Sequence, residues 1–148
     1  MAHVNPSDDA LTRILTEATT IAMVGASANP ARPSHGIMKR MLAAGYRVIP
    51  VNPRETEVLG QRAVASLAEI HESIDIVDVF RRSEDTPSIA DEAVAAKAKV
   101  LWLQLGVSSD EAAARAKAAA LTVVMNKCIA ATHEALHIPA RPASAPTA

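Results

Sequence analysis

A single cysteine in 148 residues, Cys128, excludes an internal disulfide and any multi-cysteine zinc or iron–sulfur centre. Aromatic residues make up only 2% of the chain, so the stacking platforms of single-strand RNA or DNA binders are missing. Positive charge is not in excess either: 15 Lys and Arg stand against 16 Asp and Glu, a formal net charge of -1. Nothing global draws such a chain to nucleic acid or anionic lipid, and any basic site has to be a local cluster. No apolar run approaches the length of a membrane span, and the opening MAHVNPSDDALTR has neither the basic nor the apolar region of a secretion signal. A cytoplasmic protein is therefore expected, with no nucleic-acid and no membrane partner.

Several active-site signatures are absent too. The dinucleotide fingerprint G-x-G-x-x-G requires glycine two and five positions after Gly25, where this chain has Ser27 and Pro30. Neither G-x-x-x-x-G-K-[ST] nor G-x-S-x-G occurs, which removes P-loop hydrolysis and nucleophile-elbow esterases. His35, His71, His133 and His137 are scattered, and the i, i+4 pair His133/His137 has no acid motif beside it, so no metal site is expected.

What is present is a rhythm. Apolar stretches TTIAMVGAS, YRVIPVNP, SIDIVDVF, KVLWLQLG and LTVVMNKC read as five strands buried on both faces. Helical segments separate most of them, and another, Pro6 to Ala18, precedes them behind Ser7. The expected start signals are Ser34 before the second helix, Ser83 or Thr86 before PSIADEAVAAKA, and Ser108 paired with Glu111 before the Ala-rich helix. RETEVLGQRAVASLAEI reads as a loop around Gly60, an extended piece and a short helix from about Ser66. The tail HIPARPASAPTA lacks an apolar period and is expected to be disordered beyond Ile138. This pattern predicts one α/β domain over 1–138, its core at about 19–128, with residues 139–148 as tail. Its architecture is doubly wound: a mainly parallel five-stranded sheet with right-handed crossovers and helices on both faces.

Ligands of such sheets bind at the carboxyl ends of the strands. After the first strand come Gly25, Ala26, Ser27, Asn29, Arg32, Ser34 and His35; after the second, Val51, Asn52, Pro53 and Arg54. Phe80, Arg81 and Arg82 end the third, Gln104 and Gly106 the fourth, Lys127 and Cys128 the fifth. Arg32, Arg54, Arg81, Arg82 and Lys127 thus share one edge, an uneven portion of the positive charge that suits a ligand with several phosphates. Each arginine alone is as readily a solvated loop residue. Ser34 reads as a helix cap in any case, Asn52 as a turn residue, and Trp102 as core. Cys128 has two readings, an inert buried thiol or, beside Lys127, a reactive one.

In order along the chain, VGAS…P.RPS, GYRVIPVNP, IDIVDVFRR, KVLWLQLGV and VVMNKC resemble the small stand-alone CoA-binding proteins. Their domain is similar to the N-terminal CoA-binding domain of the succinyl-CoA synthetase alpha subunit. The resemblance implies a Rossmann-like fold with coenzyme A held by Gly25, Ala26, Ser27, Arg32, Ser34, Val51, Asn52, Pro53, Phe80, Arg81, Gln104, Gly106, Lys127 and Cys128. Lys127 stands where such relatives often carry arginine, which keeps the charge but loses the bidentate fork. No catalytic residues are implied, since the phosphohistidine domain and ATP-grasp lobe of the synthetase have no counterpart. The expectation is a protein that binds CoA or acyl-CoA, with Cys128 able to form a mixed disulfide with the cofactor. Two alternatives stay open: a detached subunit of an acyl-CoA ligase or transferase, and an NADP-binding oxidoreductase or sensor. A homodimer is compatible with all three.

Overall fold

The computed structural model describes residues 2–142. Helix α1 (Asp8–Glu17) starts at Ser7, whose hydroxyl accepts from the Ala10 N–H at 3.2 Å, and carries Asp8 and Asp9 in its first turn. Strand β1 (Thr20–Val24), α2 (Pro33–Ala43) and β2 (Arg47–Val51) follow. A hairpin of β3 (Glu57–Val58) and β4 (Gln61–Arg62) and a 3-10 turn at Leu67–Glu69 occupy the stretch read as loop, extended piece and short helix. The chain then alternates β5 (Ile76–Val79), α3 (Thr86–Ala95), β6 (Val100–Leu103), α4 (Asp110–Ala118), β7 (Thr122–Val124) and α5 (Ile129–Ala135).

The five long strands form one parallel sheet in the order β2-β1-β5-β6-β7, the expected doubly wound Rossmann-like α/β fold. Alternation along each strand divides the core. Ile21, Met23, Ile76 and Trp102 face a cluster with Leu11, Leu15 and Met38 of α1 and α2. Ala22, Val24, Val77, Leu101 and Leu103 face Ile89, Ala90, Ala112 and Ala116 of α3 and α4. With so few rings available, small alanines let those two helices approach closely. Trp102 is fully buried, and its indole N–H donates to the Lys127 carbonyl at 2.8 Å. None of the described helices is long and apolar enough to cross a membrane.

The helix starts differ from the sequence reading. Pro33 opens α2, Arg32 precedes it without a side-chain cap, and Ser34 lies buried within the first turn rather than capping it. Proline suits that position because its missing N–H is one the helix would leave unpaired. Neither Ser83 nor Thr86 caps α3: a 3-10 turn at Ser83–Asp85 runs straight into it, and the Thr86 hydroxyl donates back to the Ser83 carbonyl at 2.6 Å. The cap of α4 is Ser109, one residue after the expected Ser108, accepting from the Ala112 N–H at 3.0 Å.

The boundary of order also moves. Cys128 caps α5, a helix beyond the expected core, and the chain stays docked past Ile138. The Arg141 guanidinium donates to the carbonyls of Leu15, Thr16 (both 2.9 Å) and Ala18, and stacks 4.5 Å from the centre of the Tyr46 ring. It supplies the cation that the last turn of α1 lacks. Residues 139–141 are thus part of the fold, a correction to the expected tail; 143–148 lie outside the described residues. Arg141→Ala is expected to cost about 1 to 2 kcal/mol in urea unfolding, with the slope of the transition unchanged. An unaltered midpoint would mean that α1 closes without it.

Candidate functional site

Because all five strands run the same way, their carboxyl ends open on one side. The chain passes from β1 to β2 in one direction and to β5 in the other, which leaves a crevice at the β1–β5 switch point. A cavity of about 1080 Å³ lies over it. The turn after β1 crosses the end of β5 so closely that only glycine serves: Gly25 has φ +90°, and a Cβ there would come 2.5 Å from the Phe80 carbonyl oxygen. Its N–H donates to Val51 O at 2.9 Å, and the Phe80 N–H to Val24 O at 2.8 Å, locking the three strand ends together.

Ten of the sequence-derived residues line this cavity: Gly25, Ser27, Arg32, Ser34, Asn52, Pro53, Phe80, Arg81, Gln104 and Cys128. Ala26 and Val51 lie buried behind the wall. Gly106 and Lys127 are not among the lining residues; Lys127 contributes its carbonyl to Trp102 instead. Arg54 and Arg82, noted only for their charge, do line it, as do the apolar Ile37, Leu105 and Val107.

The electrostatics separate the arginines. Arg82 is spent locally, paired with Glu84 at 3.1 Å and Asp85 at 3.2 Å. Arg32, Arg54 and Arg81 form no ion pair among the described residues. Backbone donors join them, since the N–H groups of Ala26 and Ser27 have no acceptor among the described residues. Ala26 is buried, so it is the Ser27 amide at the cavity wall that, with the unpaired guanidiniums, can hold phosphate oxygens. Asn52 fixes the turn, donating from Nδ2 to the Ala26 carbonyl at 2.8 Å. Gln104 is positional: its side-chain oxygen accepts from the Ile129 N–H at 3.0 Å and ties the end of β6 to α5.

Three residues of consequence were not singled out by sequence reasoning. Asn126, at φ 55°, accepts from the Gly106 N–H at 2.8 Å and shapes the loop after β6. Glu55 lines the cavity and bonds the turn after β1. Asp78 is fully buried in β5, two residues before Phe80, and neither carboxyl oxygen has a partner among the described residues. Its pKa is pushed well above the usual carboxylate value by desolvation. Asp78 lies within the strand rather than after its end, where ligands of such sheets bind, although SIDIVDVF already reads as buried on both faces. His133 and His137 border a separate cleft of about 340 Å³ with Arg40, and no metal-ligating cluster of three exists among the described residues.

Fold and cavity together define a Rossmann-like α/β domain with an arginine-rimmed cavity at its strand ends. The chain belongs to the CoA binding domain family, whose model matches residues 19–134. It is 46% identical over 129 residues to the uncharacterized protein YneT of Bacillus subtilis (strain 168), covering 87% of this chain and 96% of that one. A hypothetical protein from Pyrococcus horikoshii OT3 superposes with a TM-score of 0.86 at 37% identity, over 93% of this chain and 99% of the other. The dinucleotide-forming acetyl-coenzyme A synthetase 1 of Ca. Korarchaeum cryptofilum, solved with phosphate and ADP, matches 76% of this chain and 26% of its own. Its TM-score is 0.69 and its identity 22%, a likeness of fold.

Proposed function

We propose that the protein binds coenzyme A in the strand-end cavity as a ligand, without catalytic machinery of its own, in the cytoplasm. The observation that carries this reading is the set of three unpaired arginines and the unpartnered Ser27 amide around one large cavity in a chain of the CoA-binding family. CoA presents a pyrophosphate and a ribose 3′-phosphate, three anionic centres for three guanidiniums. The missing glycine triplet suits it better than NAD. The phosphates belong at Arg32, Arg54 and Arg81, and the pantetheine arm runs toward the apolar border of Ile37, Leu105 and Val107, which brings the thiol to Cys128. Calorimetric titration with CoA, dephospho-CoA and NADP tests this: CoA binds tightest and loses affinity without its 3′-phosphate. Preference for NADP overturns the reading in favour of an oxidoreductase or sensor.

The finer part concerns Cys128, half-buried on the cavity wall. With CoA disulfide as oxidant, the Cys128 thiolate attacks one sulfur, the protein–S–S–CoA bond forms as the CoA–S–S–CoA bond breaks, and one CoA thiolate leaves and takes up the proton. Denaturing mass spectrometry is expected to show one CoA adduct, released by dithiothreitol and absent in Cys128→Ser. The same adduct on the variant would remove Cys128 from the account, since the chain has no other cysteine.

A further inference from the structure

An acid stands among the arginines of this cavity, and it does not pair with them. Glu55 lies on the turn after β2, held by its own N–H to the Asn52 carbonyl at 3.2 Å. The Asn52 side chain tightens the same turn, its oxygen accepting from the Arg54 N–H at 3.0 Å. Half-buried and free of any ion pair among the described residues, the Glu55 carboxylate reaches across the cavity mouth and accepts from the Ala28 N–H at 2.9 Å. Ala28 directly follows Ala26 and Ser27, whose amides have no acceptor among the described residues. One donor of a three-residue run is thus satisfied by a carboxylate of the protein, and the other two are not. A carboxylate on a backbone amide is the interaction a phosphate oxygen makes there.

Resting on the CoA reading above, we propose that Glu55 is a built-in anionic occupant of the turn after β1. Its carboxylate holds the Ala28 amide in the ligand-free protein, is displaced by a phosphate of the ligand, and lowers affinity for every anionic ligand by a fixed factor. Displacement needs little movement, because Glu55 is anchored only through a short turn while Asn52 separately secures the Ala26 carbonyl. The turn therefore keeps its shape when Glu55 lets go. The penalty is the same for every anionic ligand, so one whose phosphates also engage Arg32, Arg54 and Arg81 still binds, whereas inorganic phosphate alone gains too little to offset it.

Glu55→Gln keeps the side-chain length and an oxygen acceptor but removes the charge, and Glu55→Ala removes the occupant altogether. Calorimetry at low salt is expected to show both binding CoA about 5-fold more tightly than the unaltered protein, with the gain shrinking as salt rises. In amide NMR spectra, the Ala28 resonances of the unaltered protein and of Glu55→Ala differ without ligand and converge on CoA saturation, because the same phosphate then holds the amide in both. If both variants bind CoA equally or more weakly while the unaltered protein binds it well, Glu55 is a positioning clamp or a direct ligand contact, and the displacement is wrong although the CoA site stands. If the unaltered protein binds no CoA, the CoA reading fails and the displacement with it.

Discussion

Arg81→Ala is expected to weaken CoA binding roughly 30- to 100-fold, about 2 to 3 kcal/mol, with little change in melting temperature. Arg81 emerges at the end of β5, next to Phe80, and is half-buried, so its guanidinium is only partly hydrated. It forms no ion pair among the described residues, and it borders both the main cavity and a second cleft of about 350 Å³ beside α3. A phosphate there meets a charge with no competing partner among the described residues, in surroundings that screen it less than bulk water. The neighbouring Arg82 is the internal control. Its side chain is 76% exposed and already paired with Glu84 and Asp85, so Arg82→Ala is expected to change affinity less than about 5-fold. Isothermal titration of both variants separates the cases. Equal losses would mean that the rim acts through net charge alone, and a negligible loss at Arg81 would move the phosphates elsewhere.

The second large effect is on stability. Asp78 is fully buried between Met23 of β1 and Trp102 of β6 in the sheet register. Desolvation with no partner raises its pKa well above 3.8, so the folded protein holds a proton that the unfolded chain releases. The sign follows from linkage. Asp78's contribution is most favourable below the unfolded value, then falls as pH rises through the interval up to the folded value, by at most about 1.4 kcal/mol per pH unit. Asp78→Asn, similar in size and never charged, is expected to be more stable than the unaltered protein at pH 7 to 8 and to lack that downward slope. Urea melts at pH 5, 6, 7 and 8 measure it. Parallel stability curves for the two proteins would mean that Asp78 ionises freely in the native state.

The scaffold was largely legible, because strands buried on both faces announce themselves as continuous apolar runs and the turns after them carry unusual residues. Gly25, Arg32, Asn52 and Arg81 were recognisable for that reason. Helix starts were read less well. Ser34 looked like a cap, but proline one position earlier takes the first turn, and Ser109 replaced Ser108 because either serine satisfies the local pattern. Helix α5 and Arg141 escaped notice because their order comes from tertiary contacts: α5 is tied to Arg40 and Gln104, and Arg141 to carbonyls at α1 more than 120 residues away in sequence. Lys127 stands at a strand end as read, outside the cavity lining, with its carbonyl bonded to Trp102. Glu55 was hidden for a different reason: its partner is a backbone amide, which no residue pattern displays.

Native mass spectrometry of freshly purified protein, then titrated with CoA, NAD and NADP, tests the central claim most directly. Retained CoA lost on denaturation, or preferential saturation by added CoA, is the expected result. Binding of NADP with no binding of CoA would contradict it and hand the arginine cluster to a different phosphate.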